Sequence, residues 1–420
     1  MIRLSLKPSE ARIWSDIETL SKITNPERPW TRRPFTALYE EGRAWLKQEM
    51  ATLGLEVYQD AASNVIGRLA GSKPELSPIM VGSHTDTVTG GGRFDGIAGV
   101  VVGLELVRML KEADIQLDHP LEIVDFTAEE PTDFGVSTVG SRGMVGNLSE
   151  DMRNSRDPEG RVLIDCIAEA GGNPARIDQE ARKQGSVAAY LELHIEQGPV
   201  LVETSRPLGV VTGIVGISRY QVTVIGQPDH AGTTPMTMRR DALPAAGELF
   251  VELETICRKA YSSPVVGTVG VVNVNPNAAN VVPGEVTFKF EVRSIDAALI
   301  AEVCEHYLER ARALVENRGL SIRIEALTRS EPVTVPEHIR SALALACRET
   351  LGSDSLYAEL PSGAGHDGNQ LSRIAPIGML FVPSLGGRSH CPEEWTDIQP
   401  IAQGAEALAR AIIHLDKNVV

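Results

Sequence analysis

Ile79-Met80-Val81-Gly82-Ser83-His84-Thr85-Asp86-Thr87-Val88, then Gly90-Gly91-Gly92 and Asp95-Gly96, then an apolar run to Lys111: the reading of this stretch decides the fold. No polar residue alternates with Ile79 to Gly82, which predicts a strand buried on both faces. It runs into His84 and Asp86, side chains that bind metals or move protons. The glycines let the backbone turn tightly, and Gly96 to Lys111 reads as a long apolar helix. Strand, polar loop and helix in that order is the repeating unit of a parallel α/β sheet, where ligands collect beyond the carboxyl ends of the strands.

The same pattern recurs outward from that segment. Leu121 to Phe126 and Val187 to Ile195 read as strands, and Pro34 to Leu53 as a helix with Leu38, Ala44, Leu46 and Met50 apolar between charged residues. The expectation is a mainly parallel sheet covered by helices on both faces. From about Ile214 the order changes to strand Tyr220–Ile225, helix Asp241–Arg258, strands Val269–Asn275 and Glu285–Arg293, helix Leu299–Asn317 and strand Ser321–Leu327. That is a β-α-β-β-α-β module of ferredoxin-like type. The chain then resumes with a helix near His338–Leu351 and a strand at Ile377–Val382, so residues 1–213 and 330–420 are expected to form one discontinuous domain and 214–329 an insertion. Glu150 to Gly185 is polar and without clear period, and its structure is left open.

Candidate ligands stand at the ends of these apolar runs: His84, Asp95, the pair Glu129-Glu130 after Leu121–Phe126, His194 in Leu193-His194-Ile195-Glu196-Gln197, and His390 after the last strand. Each alone reads as a solvated acid or a hydrogen-bonded histidine. Jointly, three imidazoles and two carboxylates supply about the five ligands that a pair of divalent ions needs, without thiolate. Asp95 is placed either to bridge two cations or to cap the helix behind it. His84 and Asp86 point the same way on an extended strand end, so Asp86 is expected to take the second imidazole N–H. Adjacent Glu129 and Glu130 diverge in an extended backbone, leaving one for a metal and one as proton carrier. In the inserted module, His230 of His230-Ala231-Gly232-Thr233-Thr234-Pro235-Met236 suits an oxyanion donor or a satisfied loop histidine, and Arg293 suits a carboxylate clamp or a surface ion pair.

Composition bounds the alternatives. At 420 residues two domains are expected. A formal charge of −16 excludes the basic face that nucleic acid or an anionic membrane would require. Met1 to Pro8 has no apolar leader and no run approaches a membrane span, so a cytoplasmic location is expected. Five scattered cysteines, Cys166, Cys257, Cys304, Cys347 and Cys391, indicate neither a disulfide framework nor a thiolate zinc site.

Gly82-Ser83-His84-Thr85-Asp86-Thr87-Val88, Glu192-Leu193-His194-Ile195-Glu196-Gln197-Gly198-Pro199, the His230–Met236 segment, Asn280-Val281-Val282-Pro283-Gly284 and Ser362-Gly363-Ala364-Gly365-His366-Asp367 together resemble the dinuclear-zinc amidohydrolases of the aminoacylase and carboxypeptidase superfamily, in their hydantoinase/carbamoylase branch. The resemblance spans nearly the whole chain. It implies that His84, Asp95 and His194 hold one ion and Asp95, Glu130 and His390 the other, zinc foremost, with manganese or cobalt as alternatives. It further implies Glu129 as general base; Gln197, Asn280 and Arg293 on a small ureido or amide substrate bearing a carboxylate; His230 on the oxyanion; and a homodimer made by the inserted module, through which His230 reaches the partner's site. The implied activity is cleavage of the carbamoyl C–N bond of N-carbamoyl-L-amino acids or related ureido acids, giving amino acid, ammonia and carbon dioxide. Allantoate amidohydrolase is the nearest alternative; an aminoacylase or dipeptidase, or a metal-bearing binding protein without turnover, is more distant. Pro131-Thr132-Asp133 after the double Glu departs from typical allantoate enzymes, as Glu291, Gly368 and Arg388 depart from the common branch pattern.

Overall fold

The computed structural model describes residues 6–259 and 261–417; Met1 to Ser5, part of the segment read for a leader, lie outside that range. The chain divides into two compact units, residues 1–212 with 335–420, and residues 213–334.

In the first unit β1 (Glu56–Gln59), β2 (Val65–Leu69), β3 (Ile79–His84), β4 (Leu121–Phe126), β5 (Ala189–Ile195) and β6 (Leu208–Ile214) belong to one sheet. Every residue of β3, β4 and β5 is buried, including Glu122 and Asp125 in β4 and Glu192 and His194 in β5, so these strands are covered on both faces. The helix Ile97–Glu112 is buried without a break from Ile97 to Val107. It packs into one core with the helices Glu10–Lys22, Glu337–Leu351 and Ile398–Asp416, of which the first and last lie outside the expected elements. Glu10–Lys22 is started by the Ser9 hydroxyl accepting from the Arg12 amide and buries Ile13, Ile17 and Leu20 along one face. The segment left open from the sequence forms short helices, Glu150–Arg153, Leu163–Glu169 and Ile177–Glu180, around a small apolar cluster with Leu163 and Ile167.

The second unit contains β7 (Gly216–Ile225), β8 (Asp229–His230), β9 (Val265–Asn275), β10 (Val281–Val282), β11 (Glu285–Ser294) and β12 (Ser321–Ser330). Its main sheet has the order β12-β7-β11-β9, antiparallel throughout. Alternation is strict in β11: Val286, Phe288, Phe290 and Val292 are buried against the helices Ala242–Cys257 and Ala297–Asn317, and the intervening residues face the other way. β13 (Val333–Thr334) pairs with Gly213 and Ile214 at the end of β6. β14 (Tyr357–Ser362) and β15 (Ile377–Val382) follow, and β15 takes its place between β5 and β6.

The first sheet therefore runs β1-β2-β4-β3-β5-β15-β6, with β4, β3, β5 and β15 mutually parallel and antiparallel strands flanking them. Four adjacent parallel strands bring four carboxyl ends to one edge.

Candidate metal centre

That edge collects the candidate ligands. β3 ends on His84, β4 leads into Glu129 and Glu130, β5 carries His194 one residue from its end, and His390 follows β15. Asp95 enters from the glycine loop. Gly96 has φ 67°, and a Cβ there would stand 2.4 Å from His84 Nε2, so only glycine lets the loop deliver Asp95 against that ring. Gly96 caps the helix without a side-chain bond, and the Asp95 carboxylate turns instead to the histidines.

Its two oxygens divide the cluster. Oδ1 lies 3.1 Å from His194 Nε2 and 3.9 Å from His84 Nε2, while Oδ2 lies 3.0 Å from His390 Nε2. His390 Nε2 is also 3.3 Å from Glu130 Oε1, and Glu129 Oε2 is 3.7 Å from His84 Nε2. Two groups result, His84–Asp95–His194 and Asp95–Glu130–His390, each with its ligand atoms within 4.8 Å of one another and Asp95 in both. A third group, Glu192–His194–His366, is already satisfied: Glu192 accepts from Ser83 Oγ at 2.6 Å and Tyr190 at 2.9 Å, and His366 Nε2 meets Ser362 Oγ at 2.8 Å.

The donor set fits divalent ions. His84 Nδ1 lies 3.0 Å from the Asp86 carbonyl and His194 Nδ1 2.8 Å from the Ile195 carbonyl, which fixes the Nδ1–H tautomers and turns each Nε2 lone pair inward. His194 Nε2 is buried without a hydrogen-bond donor. Asp86, Asp95, Glu129, Glu130 and Asp367 are all buried, a concentration of negative charge that calls for cations. Burial, with Asp367, Glu130 and Asp86 nearby, holds the Glu129 carboxyl well above the usual carboxylate range against the opposing pull of His84. Hydrogen bonds to Asp95 and Glu130 push His390 up to about 11. The His390 side chain is 48 % exposed where those of His84 and His194 are at most 3 %, so the cluster opens on its His390 side.

One expectation is corrected. Asp86 does not take the imidazole N–H; its Oδ1 is 3.7 Å away, and the two carboxylate oxygens accept from the Glu129 and Glu130 amides at 3.1 Å each. The chain leaves the strand direction after His84, so the carbonyl of Asp86 reaches the ring first and its side chain is free for the facing loop. The double Glu follows a turn at Thr127-Ala128, with Ala128 at φ 52°, and its two amides are held by Asp86; Glu129 is directed toward His84 and Glu130 toward His390, diverging as adjacent residues are expected to.

Gln197 and His390 also adopt the left-handed region, φ 57° and 56°, so three loops bearing site residues pass through backbone that non-glycine residues seldom occupy. Gln197 Nε2 donates to Asp95 Oδ2 at 2.9 Å and to Ser389 Oγ at 3.2 Å. Arg388 is exposed, 3.9 Å from Glu393. The sequence reading passed over Glu394, fully buried behind Asp95, and Asp367, buried on Ser141 Oγ at 2.5 Å. Glu393-Glu394 offers no periodic signal to separate a surface acid from a buried one.

His230, Asn280 and Arg293 belong to the second unit. His230 pairs with Val281 across β8 and β10, and the Asn280 carbonyl accepts from the Ala231 amide at 2.9 Å, so this strand pairing brings His230 and Asn280 together. His230 Nδ1 accepts from the Gly232 and Thr233 amides at 3.0 and 3.2 Å, which leaves the proton on Nε2 as an outward donor. Arg293 is ion-paired with Glu291 at 2.6 Å, and Glu291 also holds Arg219.

Known proteins share this arrangement of elements. A family model described as peptidase family M20/M25/M40 matches residues 80–414. The chain is 40 % identical to an N-carbamoyl-L-amino acid amidohydrolase of Geobacillus stearothermophilus, over 96 % of this chain and 98 % of that protein. It is 34 % identical to the allantoate amidohydrolase of Bacillus subtilis, over 92 % of each. The crystal structure of a hydantoinase/carbamoylase family amidase from Burkholderia multivorans superposes with a TM-score of 0.90 at 33 % identity, covering 99 % of this chain and 100 % of that one.

Proposed function

Because the chain belongs to peptidase family M20/M25/M40 and to its hydantoinase/carbamoylase amidases, we propose that it hydrolyses the carbamoyl C–N bond of N-carbamoyl-L-amino acids or closely related ureido acids, releasing amino acid, ammonia and carbon dioxide. It is a hydrolase of C–N bonds other than peptide bonds. The observation that carries the proposal is the pair of ligand groups sharing the buried Asp95, with Glu129 beside them.

In this reading His84, Asp95 and His194 hold one divalent ion and Asp95, Glu130 and His390 the other, zinc foremost, with manganese or cobalt able to replace it. Bound ions supply Lewis acidity toward the ureido carbonyl and acidify water. Glu129 takes the proton of the attacking water and delivers it to the departing nitrogen, a task that suits a carboxylate standing 3.7 Å from the ligand His84. Asp86 acts through the backbone, fixing the turn that aims Glu129 and Glu130 apart. Gln197 and Asn280 bind the substrate's polar groups, Arg293 its carboxylate, and the Nε2–H of His230 meets the oxyanion.

A homodimer is part of the proposal. His230 and Asn280 lie beyond the Glu285 end of β11, and Arg293 near its other end. Eight residue steps of strand separate Glu285 from Arg293, about 26 Å, too far for one copy of this unit to place both on a small ureido acid. Two copies solve this when His230 comes from the partner subunit and Arg293 from the subunit whose ligands hold the ions. Exposed apolar residues concentrate on β9 and the neighbouring helix, at Val266, Val271, Val272, Leu243 and Val251, and edge strand β9 is the surface we assign to pairing. Five free thiols agree with a reducing compartment, and the cytoplasm is the proposed location.

Allantoate is the second substrate reading, supported by the Bacillus subtilis relative. The deciding experiment follows loss of N-carbamoyl-L-amino acids, N-carbamoyl-β-alanine, allantoate, N-acetyl amino acids and dipeptides by mass spectrometry, with chelated and metal-restored protein in parallel. Metal-restored cleavage of an N-carbamoyl-L-amino acid is expected. Cleavage of allantoate alone would move the protein to the second reading, and cleavage only of acyl or peptide substrates would refute both.

A further inference from the structure

Behind the cluster stands a carboxylate that binds nothing in the scheme above. Glu394 is fully buried. Its Oε1 accepts from the backbone amides of Phe94 at 2.9 Å and Asp95 at 3.1 Å, and its Oε2 accepts from Ser389 Oγ at 2.9 Å. The same Ser389 hydroxyl lies 3.2 Å from Asp95 Oδ2 and 3.2 Å from Gln197 Nε2. One side chain thus ties the loop before Asp95 to the loop carrying Ser389 and His390. The loop is shaped to receive it: a Cβ on Gly92 would lie 1.8 Å from Glu394 Oε1, so the third glycine of Gly90-Gly91-Gly92 is the space that the carboxylate fills.

A buried acid costs free energy unless its oxygens are satisfied, and here the three donors that satisfy it sit on, or next to, metal-site residues. Asp95 must present one oxygen to each ligand group, so a small rotation about its backbone weakens both. The helix that follows begins at Ile97 and carries no side-chain cap, which leaves the Asp95 peptide to be fixed from outside the helix. We infer that Glu394 is a positioning residue for the two-ion site: it sets the orientation of the shared ligand Asp95 and the spacing between Asp95 and His390. This inference rests on the metal reading given above, and partners of this kind commonly alter metal affinity 10- to 100-fold.

The test uses the full chain with ions removed and zinc returned. Zinc is titrated against a chromophoric chelator for wild type, Glu394→Ala, Glu394→Asp, Glu394→Gln and Ser389→Ala, with apoprotein melting temperature and the kcat and KM of the zinc-loaded protein measured alongside. Gln keeps an oxygen for the two amides and offers N–H to Ser389, so it is expected to bind zinc within about threefold of wild type. Asp is one methylene too short to reach both loops and is expected to weaken the looser ion about 10- to 100-fold, as is Ala. Ser389→Ala leaves the core intact and is expected to weaken it by several-fold, so the inference stays testable if Glu394→Ala does not fold. Wild-type affinity in both Glu394→Asp and Ser389→Ala overturns the inference, as does loss in Glu394→Gln equal to that in Glu394→Asp. A wild-type chain that binds fewer than two ions overturns instead the metal reading on which it stands.

Discussion

The two units treat their polar groups in opposite ways. In the first, all the chemistry-bearing side chains but the half-exposed His390 are buried at the carboxyl ends of the parallel strands, and most are held by another protein group: Asp86 by two amides, the His84 and His194 rings through carbonyls, Asp95 by Gln197 and Ser389. In the second, His230 is exposed on a short turn and Arg293 is half-buried on the outward face of β11. Metal ligands need positions accurate to a fraction of an ångström and tolerate no water in their place, which a parallel sheet buried on both faces can provide. Substrate contacts must let a molecule in and out, which an antiparallel sheet with one open face allows. The difference teaches that, under the proposed function, the two tasks fall to two kinds of scaffold: metal binding to buried strand ends and substrate recognition to an open antiparallel sheet.

The comparison can be broken by substitution. Glu129→Gln should reduce kcat about 10²- to 10⁴-fold with two ions still bound, measured by steady-state rates and metal analysis on the same sample; near-normal turnover would remove Glu129 from the reaction. His230→Ala should reduce kcat about 10²- to 10³-fold without touching metal content. Mixing these two defective chains should return about a quarter of wild-type activity, since half of the dimers are then mixed and each of those holds one intact site. Absence of recovery on subunit exchange would place His230 in its own subunit's site. Arg293→Ala should raise KM about 10- to 100-fold and leave kcat within a few-fold, as expected for loss of a charged hydrogen bond made equally in ground and transition states. A fall in kcat instead would make Arg293 part of the reaction centre rather than of recognition. The smallest change in folding stability belongs to Val271→Glu, which faces Lys289 across the β9–β11 ladder. Monomer stability should stay within about 0.5 kcal/mol of wild type. Light scattering should nevertheless report monomers, and a dimer that survives would direct attention away from β9.

Much of the fold is legible in local pattern. The mainly apolar segments at Ile79, Leu121, Ala189 and Ile377 became the central strands, buried on both faces, and the polar residues they do carry, such as Glu122, Asp125, Glu192 and His194, are buried with them. The alternation of Val286, Phe288, Phe290 and Val292 marked a one-sided sheet. The flanking antiparallel strands escaped, since short half-buried segments such as Glu56–Gln59 carry too few residues to show a period.

The residue types and their places at strand ends were determined by the sequence itself, because periodicity and chemistry are local properties of a chain. Which atom meets which was decided only by the tertiary structure. Asp86 chose the Glu129 and Glu130 amides, 43 and 44 positions away, over the imidazole two positions away. Glu394 found the amides of Phe94 and Asp95 across 300 and 299 positions. A buried carboxylate must satisfy its oxygens with whatever donors the closed sheet edge brings near, and sequence separation has no bearing on that requirement.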